Sequence, residues 1–335
     1  MRIGVKTAQG GYDIVLMRRA IEKAGEYFNL DRKVLIVTDS GVPREYSETV
    51  AAAANTAHIV TIKEGEQSKN IDTYKFLLEE ALKVGLTRSD CIVAVGGGVV
   101  GDMAGFVAAT FMRGIDFYNV PTTLLSQVDS SIGGKTAIDF CGYKNIVGAF
   151  WQPKRVIIDP DTLKTLPARQ ISNGLAEAVK MSLTSDSELF EIFEQNEPTE
   201  LLDTIIERAL IIKKRVVEED ERESGLRKIL NFGHTVAHAI ESENGMENYY
   251  HGECVAMGML FMCSDAVRER LLPVLNKLNL PTLTSFDSDK LLSAIRHDKK
   301  MSGDKITVVY VSRVGSFELR DITLADIEKI INEVK

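Results

Sequence analysis

Between residues 91 and 112 the chain runs from an unbroken apolar stretch, Cys91-Ile92-Val93-Ala94-Val95, through Gly96-Gly97-Gly98-Val99-Val100-Gly101-Asp102 and into a second apolar stretch. The length invites a membrane span. Five glycines and Asp102 near its middle argue against one, since a carboxylate at that depth costs about 2.5–3.5 kcal/mol. A buried strand, a glycine turn and a buried helix fit the pattern better. A strand with no polar face must be covered on both sides, which restricts the fold to a parallel sheet between helices.

The rest of the first half agrees. Short β-branched runs over 34–38, 57–62, 117–120 and 156–158 alternate with amphipathic periods over 43–55 and 68–84. This predicts a doubly wound, Rossmann-like α/β domain over 1–160. Beyond the boundary region 159–167, helical periods over 168–183, 200–219, 228–242 and 254–268 predict a mainly α-helical domain over 161–335. Pro273 and Pro281 are expected to break the chain beyond residue 268, and 306–311 is the strong late strand candidate. No internal repeat is visible.

The formal net charge is −8, which argues against nucleic acid or an anionic membrane as a main partner. It leaves room for an anionic small molecule in a locally basic pocket. Cys91, Cys141, Cys254 and Cys263 form no CxxC pair and read as free thiols of a reducing compartment. The N-terminus lacks the apolar core of a signal peptide, so a cytoplasmic location is expected.

Gly96, Gly98 and Gly101 satisfy G-x-G-x-x-G after a strand and before a helix, the context in which backbone approaches a pyrophosphate. A tight turn with no ligand satisfies the same spacing. Two points are unusual. Asp102 would repel a phosphate unless it faces elsewhere, and no acidic residue stands convincingly 20 positions downstream to take a ribose hydroxyl. Asp39, at an earlier strand end, offers that carboxylate instead. Glu66 with Lys69, and Thr122-Thr123, add polar groups at further loops after strands.

Of five histidines, three lie within 233–252. His234 and His238 are four apart and share a helix face, but Thr235 occupies the position where a zinc protease needs glutamate. His251 begins the next helical segment, and Glu177 lies on an earlier one. Imidazole and carboxylate suit zinc, although partly buried structural histidines would look alike. His58 and His297 have no such neighbours. Lys135, Lys144-Asn145, Lys180, Lys213, Arg227 and Lys299-Lys300 are individually ordinary cations. Together they suit a small polyanion.

These stretches resemble 3-dehydroquinate synthase from residue 38 to residue 300. The likeness is carried by the 96–102 loop, by Pro121-Thr122-Thr123-Leu124-Leu125-Ser126-Gln127-Val128-Asp129-Ser130-Ser131, by Gly133-Gly134-Lys135-Thr136, by Asn173-Gly174-Leu175-Ala176-Glu177 and by Leu230-Asn231-Phe232-Gly233-His234-Thr235. The resemblance implies a divalent metal, zinc or cobalt, on Glu177, His234 and His251. It implies NAD contacts from Asp39, Glu66, Lys69, Gly97, Gly98, Val99, Asp102, Thr122, Thr123, Lys144, Thr162 and Thr165. It implies substrate contacts from Lys135, Asn145, Arg227, Asn231, Lys299 and Lys300, with Arg113 reaching in from the partner of a homodimer. Asp129, Lys180, Lys213, Glu223 and His238 are implied as catalytic.

The implied reaction converts 3-deoxy-D-arabino-heptulosonate 7-phosphate to 3-dehydroquinate and phosphate, with NAD regenerated in each turnover, on the shikimate route to aromatic amino acids. Val236-Ala237, and Ala137-Ile138-Asp139 with Tyr143, depart from the family's usual residues and bear on loop geometry rather than on reaction class. Two rival activities remain at this level. One is another sugar phosphate cyclase, which Lys213, Arg227 and Asn231 disfavour because they suit a carboxylate-bearing substrate. The other is a metal-dependent polyol dehydrogenase. A non-catalytic NAD sensor would need none of Glu177, His234, His251 and Lys135.

Overall fold

The computed structural model describes every residue except Gln9, Ser224, 245–247, 283–287, 297–300, 303–304 and Lys335. His297, Lys299 and Lys300 therefore lie outside the described residues. The chain forms two compact units, Met1–Pro167 and Ala168–Lys335.

In the first unit, β1 (Arg2–Thr7), β2 (Gly10–Leu16), β3 (Lys33–Asp39), β4 (Thr56–Ile62), β5 (Cys91–Gly96), β6 (Asp116–Pro121) and β9 (Arg155–Ile158) make one sheet, ordered β1-β2-β9-β6-β5-β3-β4. The β1–β2 edge pair is antiparallel and the other pairs are parallel. Leu35, Val37, Ile92 and Ala94 join one apolar cluster with Met103 and Val107. Val34, Ile36, Val93 and Val95 join another with Phe28 and Val50. Both faces of β3 and β5 are thus buried, which is why these strands read as continuous apolar runs. Each fully buried Val or Ile contributes roughly 1.5–3 kcal/mol.

The flanking helices are the single turn α1 (Ala24–Tyr27), α2 (Arg44–Ala52), α3 (Ile71–Val84) and α4 (Gly98–Thr110). Asn70 starts α3 by accepting the Thr73 N–H at 2.9 Å, and Gly85 at φ 67° ends it. A separate hairpin, β7 (Lys135–Phe140) and β8 (Tyr143–Phe150), turns at Cys141-Gly142, both at positive φ. That pair of angles is the two-residue turn whose twist matches an antiparallel ribbon.

The second unit holds α5 (Ala168–Ser185), α6 (Ser187–Gln195), α7 (Leu202–Glu219), α8 (His234–Asn244), α9 (His251–Phe261), α10 (Asp265–Lys277), α11 (Ser288–Arg296) and α12 (Leu324–Val334). A small antiparallel sheet joins β10 (Met301–Ser302), β11 (Lys305–Tyr310) and β12 (Glu318–Thr323). Among the described residues no helix is long and apolar enough to cross a membrane. The thiols are free, with Cys91, Cys254 and Cys263 buried and Cys141 exposed. Burial pushes Cys91 and Cys263 up to about 12.

Four local expectations need correction. The helix over 228–242 begins only at His234, because Gly233, at φ 77°, separates it from the tight turn Leu226–Asn231. The helix over 254–268 is two helices, because Ser264 restarts the chain as α10, its Oγ accepting the Val267 N–H at 3.4 Å. Pro273 does not break the chain but sits inside α10, on its exposed side. An interior proline costs about 3 kcal/mol; burial of Val267, Leu271, Val274 and Leu275 on the opposite side offsets it. Strand β12, mostly polar and partly exposed as an edge, carries no apolar alternation to announce it.

Candidate functional site

From β3 the chain steps to β4 on one side and then to β5 on the other, so strand order reverses between β3 and β5. In a doubly wound sheet, ligands bind at the carboxyl ends of strands flanking such a reversal. Asp39 closes β3 and Gly96 closes β5. The topology thus sets Asp39 and the glycine loop at the ends of neighbouring strands.

Helix α4 begins at Gly98 with no side-chain cap, which leaves its positive end available to an anion. A Cβ on Gly97 would stand 3.0 Å from Thr123 Cγ2, so the loop lies hard against the β6 turn. Thr122 N donates to Gly96 O at 2.9 Å. Gln127 is wholly buried, and its Nε2 lies 3.1 Å from Pro121 O, Asp159 O and Thr162 Oγ1. It fastens the end of β6 to the segment Pro160–Thr165, where Thr165 Oγ1 also meets Tyr46 Oη at 3.0 Å. That segment therefore packs with the first unit.

Asp102 is paired with a buried cation. Lys69, 4% exposed, lies 2.5 Å from Asp102 and 3.7 Å from Glu66, and donates to Asn145 Oδ1. Burial works against the ammonium, but Asp102 and Glu66 outweigh it and hold Lys69 above its ordinary range. Burial raises the Glu66 carboxyl, with Lys69 opposing, and raises Asp39, with the Gly41 N–H opposing. Asp139 in turn accepts the Asn145 N–H at 2.8 Å, so the β7–β8 hairpin is tied to the same cluster.

In the second unit, α5, α8 and α9 bring Glu177, His234 and His251 together, their ligand atoms all within 4.8 Å of one another. Local packing produces this. Gly233, at φ 77°, ends the turn before α8, and α8 meets α9 where Gly258 lies directly under the Gly233 carbonyl. Gly252 N donates to Asn173 Oδ1 at 2.6 Å, docking the first turn of α9 on α5. Arg169 grips Glu253 with bonds of 2.7 and 2.8 Å, and Glu253 accepts the Tyr250 N–H at 2.8 Å. The start of α9, and with it His251, is held from several directions.

Glu177 is fully buried, and its Oε1 finds no hydrogen bond among the described residues. That oxygen lies 3.4 Å from His251 Nε2 and 3.9 Å from His234 Nε2. Tetrahedral ligands about 2.0–2.1 Å from a zinc ion stand roughly 3.4 Å apart, so the donor set and its spacing fit a divalent cation. His234 Nδ1 meets Phe232 O at 3.1 Å, and His251 Nδ1 meets Glu241 Oε1 at 2.7 Å. Desolvation disfavours a charged His251, but the Glu177 and Glu241 carboxylates outweigh it and push the imidazole up to about 10. A cation entering here displaces a proton. Lys180, 1% exposed, pairs with Glu177 Oε2.

The other residues singled out in the sequence take varied positions. His238 is exposed, its ring 5.4 Å from that of His234. Lys213 and Arg227 are buried. Arg227 donates through Nη1 to Glu221 O and through its backbone to Asp220. Glu223, at φ 62°, accepts from Asn231 Nδ2 at 2.7 Å. Asp129 is half-buried in the turn Ser126–Ser130, and Val99 is half-buried in the glycine loop. Lys135, Lys144 and Arg113 are exposed. His58 pairs with Glu80 at 3.2 Å on the surface. Sequence reasoning missed Glu241. Its signal was spacing, since it follows His234 by seven residues and shares the helix face of His234 and His238.

Two family models match the chain, 3-dehydroquinate synthase N-terminal over residues 59–173 and 3-dehydroquinate synthase C-terminal over 174–301. A 3-dehydroquinate synthase of Streptococcus suis is 41% identical over 348 residues, covering 97% of this chain and 98% of the other. Among solved structures, 2-deoxy-scyllo-inosose synthase complexed with carbaglucose-6-phosphate, NAD+ and Co2+ is 28% identical, with a TM-score of 0.87 over 99% of this chain and 100% of that one. The 2-epi-5-epi-valiolone synthase of Streptomyces hygroscopicus, with NAD+ and Zn2+ bound, is 27% identical with a TM-score of 0.88, covering 96% of each chain.

Proposed function

The chain belongs to the 3-dehydroquinate synthase family, and from that premise we propose that it is an NAD- and metal-dependent lyase converting 3-deoxy-D-arabino-heptulosonate 7-phosphate to 3-dehydroquinate and inorganic phosphate. The family makes it an enzyme of the sugar phosphate cyclase kind, acting on a sugar phosphate. The observation that carries the choice of substrate is the 41% identity over nearly the whole chain, against 28% and 27% with cyclases of other products. This ranks dehydroquinate synthesis above its nearest rival.

When bound, NAD accepts and returns a hydride, and the divalent cation polarises the alcohol being oxidised. Glu177, His234 and His251 hold the cation. Lys180 offsets the charge of Glu177 and offers a donor to a substrate hydroxyl. Asp39 takes a ribose hydroxyl of the dinucleotide, the glycine loop and the start of α4 take its pyrophosphate, and Glu66, Lys69, Thr122, Thr123, Lys144, Thr162 and Thr165 complete its contacts. Asn145 gives its Oδ1 to Lys69, so the end left to donate is Nδ2, the end a phosphate needs.

Lys135, Asn145, Asn231 and His238 bind the substrate phosphate, Lys213 and Arg227 its carboxylate, and Asp129 its hydroxyls. Asn231 orients the carboxylate of Glu223 for proton transfer. Arg113 completes the phosphate contacts from the partner of a homodimer, and the chain works in the cytoplasm on the shikimate route.

The test uses purified protein with zinc, a catalytic amount of NAD and the heptulosonate phosphate. Phosphate should be released over many turnovers without NADH accumulating. No phosphate release, or NADH formed in proportion to substrate, would sink the proposal, the second result pointing to a polyol dehydrogenase.

A further inference from the structure

We propose that Glu241 is a positioning residue for the metal centre, holding His251 by its Nδ1 so that Nε2 faces the cation. The inference rests on the metal reading given above and extends it to a residue that is not itself a ligand.

Three observations carry it. Glu241 is 8% exposed, so its carboxylate is withdrawn from water and needs a partner. Its Oε1 lies 2.7 Å from His251 Nδ1, a charge-assisted distance. It extends the face of α8 that already carries His234 and His238, reaching a ring on the next helix. With Nδ1–H held by a carboxylate, Nε2, the atom 3.4 Å from Glu177, is the nitrogen left to give its lone pair when a cation displaces its proton.

The two imidazoles are held differently. His234 leans on a neutral acceptor, the Phe232 carbonyl at 3.1 Å, and its side chain is 11% exposed. His251 sits at the first residue of α9 with a side chain 35% exposed, so packing restrains its ring less. The hydrogen bond has to do what packing does for His234. A charged acceptor also raises the electron-donating power of the ring toward a cation.

The experiment compares wild type with Glu241→Ala and Glu241→Gln, using zinc affinity from competition with a chromogenic chelator and the visible absorption spectrum of the cobalt-loaded protein. Far-UV circular dichroism and NAD binding control for folding. Removing a partner of a metal-bound histidine weakens binding by about 10–100-fold, and that loss is expected for Glu241→Ala, with altered cobalt bands. Glu241→Gln keeps an acceptor oxygen and nearly the same shape, so it should keep the cobalt band pattern while losing part of the affinity. If Glu241→Ala does not fold, the glutamine variant alone decides the matter through its affinity. Wild-type zinc affinity and an unchanged cobalt spectrum in the variants that fold would overturn the proposal while leaving the metal reading intact. Failure of wild type to bind either metal would overturn the metal reading, and this proposal with it.

Discussion

Lys69 Nζ lies 2.5 Å from Asp102 Oδ2, joining a lysine just before α3 to a carboxylate at the fifth residue of α4. The pair matches the charge of Asp102 before any ligand arrives, which the proposed contact of the glycine loop with a pyrophosphate requires. Breaking such a pair from one side leaves an uncompensated buried charge, a loss of about 3–5 kcal/mol when burial is complete. Lys69→Met should therefore lower stability by about 3 kcal/mol and abolish measurable NAD binding. Lys69→Met with Asp102→Asn should regain most of the stability and little of the binding. Urea unfolding and NAD titration read the two effects separately; equal stability of the single and double variants would show that the pair does not carry the effect.

His251→Ala should remove metal and activity together, since three ligands cannot spare one. Metal content after dialysis, by atomic emission, is the direct measurement. Full occupancy in the variant would show that His251 is not a ligand.

Gly258 lies against the Gly233 carbonyl, so Gly258→Ala forces α8 and α9 apart. Overpacking of this kind costs about 1–3 kcal/mol, and here it also separates His234 from His251. A lower urea midpoint accompanied by weaker zinc binding is expected. Loss of stability with wild-type zinc affinity would mean the helix contact does not set the ligand spacing.

Asp186 caps α6 through the Leu189 N–H at 3.0 Å and takes two bonds from Arg208, at 2.7 and 2.8 Å. Desolvation raises its pKa, but these bonds outweigh it and hold the carboxyl below its ordinary range. A depressed folded value contributes stability that is fully present above the unfolded pKa of about 3.9 and is lost as pH falls through the folded value. Asp186→Ala should thus cost about 1–2 kcal/mol at neutral pH, with the gap to wild type narrowing below about pH 4. Urea midpoints across that range test the sign, and a gap that widens toward acid would refute it.

Arg113 is exposed at φ 67° on the unit that carries the glycine loop. If it serves the partner's site, Arg113→Ala and His251→Ala should each be inactive alone, yet co-expressed chains should regain activity. Random pairing gives one working site in half of the dimers, about a quarter of the wild-type rate. No recovery in isolated mixed dimers would place Arg113 in its own chain's site or outside any site.

Much of this was legible in the sequence, for identifiable reasons. Strands β3 and β5 are covered on both faces, so Val34 to Val37 and Cys91 to Val95 could only be apolar throughout. The His234–His238 spacing follows from helix geometry alone. Other features left no one-dimensional trace. Pro273 lies within α10 because burial on the opposite side outweighs a local penalty that the sequence states plainly. Edge strand β12 has no alternation to read.

The glycine loop, the helix faces and the identity of the chemical groups were thus determined by the sequence itself, because each depends on neighbours within a turn or a strand. Which groups meet was decided only by the tertiary structure. Lys69 finds Asp102 across 33 residues, and Glu177 meets His251 across 74, through glycine contacts between helices. Such pairings depend on how strand order reverses and how closely helices approach. No local pattern encodes either, and the balance of charge within each cluster follows from them.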